Sequence, residues 1–324
     1  MKSHLRLPAF PFLFVLACFA SSALADWKSD ANTSIEQIRK GDWTVQVLNA
    51  NGQPIAGATV QVRQRRHDFA FGCALNADAL IGEPRYADFF SRNFEWAVFE
   101  NETKWTSDEP VQGQLDYRRP DMMLAFCRKH AITMRGHTIF WEATGGGYEH
   151  PAWLDLLDTN QLRSAVAARV DSVVPRYRGT FQHWDINNEM LHGNYFRGRL
   201  GTGIVPFMFQ QTGALEPRAK RFVNDYNVVA GSETDSYKTQ ITNLLATGAT
   251  VEGIGAQGHF GGQIIDPVVV KSRLDNLGTL GLPIWITEYD SVQANATNRA
   301  DNLETLYRVA FSHTNVQGIL MWGF

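Results

Sequence analysis

Cysteine is scarce in this chain, with three in 324 residues. Cys18 falls in an N-terminal segment read below as a leader, and Cys73 and Cys127 are too few for a disulfide framework and lack metal-ligand spacing. Both stand in apolar contexts, which marks buried thiols, with one bridge between them left open. Basic charge is also in short supply. Lys and Arg number 30 against 33 Asp and Glu, the net charge is −3, and no basic run occurs, which argues against nucleic acid as a partner. Long apolar runs are missing too. The stretch around residues 12–20 is shorter than the roughly 20 residues that span a bilayer. With Lys2 and Arg6 before it and Ala23 and Ala25 ahead of Asp26, it has the layout of a secretory signal, residues 1–25, cleaved after Ala25. The expected mature protein is exported (extracellular or periplasmic), free of membrane and monomeric. Absent motifs narrow the chemistry further. No Gly-rich phosphate loop follows the first strand-like run, no G-x-S-x-G turn appears, and no Cys/His cluster suggests zinc, so neither metal nor cofactor is expected.

What is present is a core. A hydrophobic content of 44% over this length supports one large domain. Residues 26–66 read as a linker and a small β-hairpin, because residues 43–62 alternate apolar and polar positions about Asn51-Gly52. From residue 67 to 324, short apolar runs (69–75, 94–101, 132–141, 181–189, 221–227, 251–259, 283–290 and 318–324) alternate with helical patterns. Leu162, Val166, Val170 and Val173 form one such pattern, and Tyr237, Ile241, Leu244 and Leu245 another. Eight strands with seven intervening helices predict an α/β fold, a (β/α)8 TIM barrel. Its eighth helix is missing, because the sequence stops at "MWGF", and an apolar face is expected to be left open there.

Side chains at the carboxyl ends of barrel strands share one mouth. The runs end in polar tips: "FENETKW", "RGHTIFW", "WDINNE", "NDYN", "GAQGH" and "ITEYD". Two of these tips supply Glu189 and Glu288, on strands four and seven, which lie across an eight-stranded barrel from each other. Facing carboxylates are what glycoside hydrolysis requires, one to protonate the leaving oxygen and one to attack the anomeric carbon or activate water. Trp105, Trp141, Trp184 and Tyr226 stand beside the tips and offer flat faces for sugar rings.

From about Phe69 onward, "ENETKW", "RGHTIFW", "WDINNE", "VNDYN", "GIGAQGH" and "ITEYD" follow in the order found in glycoside hydrolase family 10, and the chain resembles that family's endo-β-1,4-xylanases, most closely the branch that includes plant enzymes. The resemblance implies a retaining double displacement on xylan or xylo-oligosaccharides, with Glu288 as nucleophile and Glu189 as general acid/base. It implies support from His259, which Asp290 would orient, and binding of the sugar 2-hydroxyl by Asn188. Gln257 would lie beside Asn188 or near the nucleophile. Glu100, Asn101 and Lys104 match the group that holds the next sugar; His137, Trp141 and Trp322 would line the pocket of the cleaved ring. Asn224 and Tyr226 would reach the leaving-group side. Asp185 is expected to be a buried hydrogen-bonding support, and the charge of Glu288 is expected to raise the pKa of Glu189. Two departures from the usual motifs, Thr103 in "ENETKW" and Glu142 after Trp141, are expected to alter affinity without touching the chemistry. The short C-terminus leaves one alternative, an impaired or inert polysaccharide-binding barrel.

Overall fold

The short apolar runs become parallel strands: β1 (Ala70–Leu75), β2 (Trp96–Phe99), β3 (Thr133–Gly136), β4 (Phe140–Trp141), β5 (Phe181–Asn188), β6 (Lys220–Asp225), β7 (Gly253–Ala256), β8 (Ile284–Tyr289) and β9 (Val316–Met321). This computed structural model describes residues 26–324; the expected signal, 1–25, lies outside the described residues. Pairing runs β3-β2-β1-β9-β8-β7-β6-β5, and β3 also pairs with β5, which closes the sheet. β4 resumes the third run after a break at 137–139 and sets Phe140 opposite Asn187 and Trp141 opposite Asn188. The barrel therefore has eight staves, as expected, with at least one helix in each of the seven connections among the described residues.

The helical spacings decide what these connections bury. Leu162, Val166, Val170 and Val173 form the fully buried stripe of the helix Thr159–Arg176, which opens on a capping box between Asp158 and Gln161. Inside the barrel, Ala70, Ala74, Val98, Phe222, Trp285 and Leu320 pack as a separate inner cluster. The large rings fit only because glycines face them. A Cβ on Gly318 would come within 2.6 Å of the Trp285 ring, and one on Gly253 within 2.2 Å of the Phe222 ring.

One buried ion pair ties the mouth to this scaffold. Arg169 donates to Asp108 Oδ2 at 2.8 Å, to the Thr103 carbonyl at 2.7 Å and to the Ile139 carbonyl at 3.3 Å, from a side chain with no exposure. Burial raises the Asp108 pKa to about 6 although the Arg169 charge pulls the other way, so this carboxylate depends on its partner. Arg169→Met is expected to cost about 3–5 kcal/mol by leaving a buried charge alone. Urea unfolding reads this as a lower midpoint with an unchanged slope; a midpoint equal to wild type would contradict it.

The N-terminal region differs from expectation. Residues Trp27–Arg39 form a helix, capped by Asp26, where a linker was expected. Its C-terminal Arg39 donates to the Phe311 carbonyl at 2.8 Å and to the carbonyls of His313 and Val316 at 2.8 and 2.7 Å, which anchors the helix to the start of β9. The expected hairpin is reduced to its turn. Gly52 takes φ 75°, Ile55 donates to Val47, and a single antiparallel bridge joins Leu48 to Pro54. Trp43, Val45, Ile55 and Val62 stay exposed, and a two-stranded ribbon with no partner for its apolar face is marginal.

No helix follows β9 among the described residues. The apolar face expected there is only partly open. Phe71 stacks on Tyr307 with centroids 6.1 Å apart, and the half-exposed Phe324 lies against Tyr86 and Phe89 at 4.8 and 4.7 Å. Cys73 and Ile319 are fully buried, and Cys73 and Cys127 are both free thiols.

Candidate active site

Strand register brings the polar tips together. Asn188 on β5 stands beside Asn224 on β6, which in turn stands beside Gly255 on β7. At the next position the chain turns: Glu189 adopts φ 56°, a left-handed conformation unusual for a side chain with a Cβ, while its N–H donates to the Asn224 carbonyl at 2.9 Å. A cavity of about 570 Å³ opens at this end of the barrel. Of the residues expected at the site, Asn101, Lys104, His137, Trp141, Glu189, Tyr226, Gln257, His259, Glu288 and Trp322 line it.

Glu288 is buried and surrounded by donors. His259 Nε2 is 3.1 Å from its Oε2 and Asn224 Nδ2 donates to its Oε1 at 2.7 Å. Burial would raise its pKa. The His259 hydrogen bond, the charges of His137 and His259 and the Asn224 bond outweigh that and bring it down to about 2. His259 is held in turn by Asp290, with Nδ1 2.5 Å from Oδ2, and burial notwithstanding, Asp290 and Glu288 raise its pKa to about 10. Glu288 is therefore an anion beside a cation.

Glu189 is displaced the other way. Burial raises its pKa above the ordinary carboxylate value, against the hydrogen bonds it accepts from Trp141 Nε1 at 2.7 Å and Gln257 Nε2 at 3.2 Å. The Glu288 charge also raises it but is not the leading cause, so the sequence-based explanation had the direction and not the main source. Gln257 belongs to Glu189 rather than to Glu288; it also reaches Asn188 Oδ1 at 3.5 Å.

Behind this wall lies a buried relay. Asp185 accepts from Arg135 and lies 2.9 Å from His137 Nδ1, with both of its oxygens engaged and no exposure. It is a support rather than a reactant. Asn188 accepts from Asn224 at 2.9 Å through Oδ1, while its Nδ2 has no protein partner among the described residues. The amide is itself buried and Asn188 does not line the cavity, so its nitrogen is unpartnered but covered in this structure. Lys104 is buried over the Trp141 ring, 4.9 Å from the centroid, and donates to Asn101 Oδ1 at 2.7 Å. Desolvation lowers its pKa, opposed by the charges of Glu288, Glu100 and Glu189. Trp322 stands edge-on to His137 at 5.5 Å and to His259 at 6.3 Å.

Several expectations need correction. Asn224 does not reach an open leaving-group side: it points inward from β6, is buried, and spends its amide on Glu288, Asn188 and Thr287. Glu100 lies off the cavity wall and accepts from Asn76 at 2.7 Å. Glu142 and Thr103 do not act on affinity through the cavity either. Glu142 is fully buried and accepts from Asn187 at 3.1 Å and from the Phe196 N–H at 2.9 Å, and Thr103 donates to the His137 carbonyl at 2.6 Å. Both residues brace the strand ends.

Three contributors were missed. Tyr148 lines the cavity, half-exposed and 5.3 Å from the Trp141 ring, at the end of the Gly145–Gly147 run; a glycine triplet followed by an aromatic was the signal. His192 lines it beside Tyr226. Arg135 gives no signal in sequence, since an arginine inside a barrel is found only from its contacts.

Fold and site define the class: a (β/α)8 barrel with two buried carboxylates of opposite pKa displacement, opening on one cavity at the carboxyl ends of its strands. The sequence profile described as glycosyl hydrolase family 10 matches residues 58–324, and the chain belongs to that family. It is 45% identical over 298 residues to the anti-sigma-I factor RsgI6 of Acetivibrio thermocellus (92% of this chain, 38% of that protein). It is 42% identical over 295 residues to endo-1,4-beta-xylanase 1 of Arabidopsis thaliana (89% of this chain, 30% of that protein). The chain thus spans about a third of the length of these relatives. In fold it is similar to xylanase 10B from Thermotoga petrophila, solved in complex with xylobiose, with a TM-score of 0.72 at 21% identity over 79% of this chain and 83% of that one.

Proposed function

We propose that this protein is an exported, monomeric endo-glycoside hydrolase that cleaves internal β-1,4-xylosidic bonds of xylan with retention of anomeric configuration. The observation that carries the reading is the pair itself, with Glu288 held ionised by His259 and Asn224 and Glu189 held toward its protonated form by burial. In the first step Glu288 attacks the anomeric carbon while Glu189 gives its proton to the departing oxygen, leaving a glycosyl ester on Glu288. Esterification removes the Glu288 charge, the pKa of Glu189 falls, and it takes the proton of the water that cleaves the ester. The unpartnered Asn188 amide, buried just behind the cavity wall, is the donor this reading gives to the sugar 2-hydroxyl. Lys104 and Asn101 hold the next sugar, and His137, Trp141 and Trp322 surround the cleaved ring. Nothing in this scheme calls for a metal or cofactor.

Reducing-sugar release from xylan, cellulose and mannan tests the reading. Activity confined to xylan supports it, and release from cellulose or mannan alone overturns the substrate. One observation favours a second reading, since the relative RsgI6 is named an anti-sigma factor and not a hydrolase. Xylan retention on an affinity gel without any product would favour such a binding barrel.

The pKa displacements fix the pH profile. Glu288 must be ionised, so kcat/KM is lost as pH falls through about 2; Glu189 must be protonated, so kcat/KM is lost as pH rises through a value above the ordinary 4.5. A profile on xylo-oligosaccharides whose alkaline limb lies below 4.5 would contradict the assignment.

A further inference from the structure

His192 follows Glu189 by three residues, and its N–H donates to the Glu189 carbonyl at 3.1 Å. Its ring lies nearly flat on Tyr226, with centroids 3.5 Å apart and planes inclined by 16°. Both nitrogens face carboxylates: Nδ1 is 2.6 Å from Asp225 Oδ1, and Nε2 is 2.7 Å from Glu233 Oε2. Asp225 is fully buried at the end of β6 and also accepts from the backbone N–H groups of Leu191 at 2.8 Å and Tyr226 at 3.0 Å. Glu233 lies past the turn at the start of the helix Thr234–Ala246. Nδ1 is aligned for a hydrogen bond with Asp225, while Nε2 meets Glu233 as a close charge contact and not as an aligned hydrogen bond. Burial opposes a positive charge on the ring, but Asp225 and Glu233 outweigh it and raise the pKa.

A tyrosine on a loop tip binds a sugar well only if its ring is already fixed, because ordering it on binding costs entropy. Here an imidazole hydrogen-bonded to Asp225 and in close contact with Glu233 covers the ring, and both side chains border the cavity next to Glu189. We propose that His192 is a positioning residue of the leaving-group side, fixing Tyr226 as a rigid platform for the sugar that departs from the cleaved bond. The inference rests on the xylan-cleaving reading above.

The test compares xylotetraose, which places sugars on the leaving-group side, with an aryl xylobioside, whose leaving group is a phenol. His192→Ala is measured with His192→Gln, which retains a donor for Asp225, and with Tyr226→Ala singly and combined. The expected result is a fall in kcat/KM on xylotetraose about tenfold larger than on the aryl glycoside. In the double variant the loss should be no greater than in Tyr226→Ala, because the histidine acts through the tyrosine. Equal losses on both substrates, or losses that add, would overturn the role of His192. Inactivity of the wild type on xylotetraose would overturn the parent reading as well, and only that result does so.

Discussion

Replacing Glu288 by Ala is expected to abolish xylan hydrolysis, with a loss of at least about four orders of magnitude in kcat and a native circular dichroism spectrum. The two halves of this result have separate causes. Turnover ends because, of the other carboxylates that border the cavity, Glu189 is held toward its protonated form and Glu149 is engaged by the Gly146 and Tyr148 N–H groups. The fold survives because what remains is still satisfied. His259 keeps Asp290 and Asn224 keeps Asn188 and Thr287, so the deletion strands no buried charge. The space left by the carboxylate suits a small anion. Azide should restore turnover of an activated aryl xylobioside and give the α-glycosyl azide, since it attacks from the face that Glu288 occupied. Wild-type rates in the variant, or a β-azide product, would remove Glu288 from the nucleophile's role.

Glu189→Ala is expected to separate the two chemical steps. On xylan, kcat should fall by roughly three to five orders of magnitude, because the sugar leaving group cannot depart without a proton. An activated phenol needs little protonation, so the first step on such a substrate should stay fast and appear as a burst of phenol. The glycosyl ester then accumulates, for no base activates the water. Added azide should speed the steady state and give the β-azide, entering from the side that Glu189 vacated. The opposite anomers expected from the two variants make the assignment testable in one assay. An equal loss on activated and natural substrates would show that Glu189 is not the acid. The Trp141 and Gln257 donors that face Glu189 point the same way: they hold its carboxyl at the cavity, and burial outweighs their lowering of its pKa.

The barrel was legible because its period is. Apolar runs of four to eight residues alternating with three-to-four spacing leave few arrangements in which every apolar face is buried, and the stripe of Leu162, Val166, Val170 and Val173 lies where its spacing puts it. The leading helix, expected as a linker, carries its own signal in Trp27, Ala31, Ile35 and Ile38, which share a helical face. The Asn51-Gly52 turn formed, but alternation alone could not make strands without a surface to pack on.

The site divides along the same line. Which residues stand at strand ends, and that Glu189 and Glu288 are among them, is a matter of sequence, because a residue's place along a parallel strand fixes which end of the barrel it reaches. What each one does there was decided by neighbours distant in the chain. Asn224 became a brace for Glu288 rather than a cavity wall because the inward positions of β5, β6 and β8 converge on one point. Glu142 was turned inward by the Phe196 N–H, Asp185 was paired by Arg135, and His192 was caught between Asp225 and Glu233. The opposite pKa displacements of the two carboxylates have the same origin. Burial and hydrogen bonding act over a few ångströms in space, and the groups that supply them to Glu288 and Glu189 come from other strands and their loops, so only the closed barrel could displace the two pKa values in opposite directions.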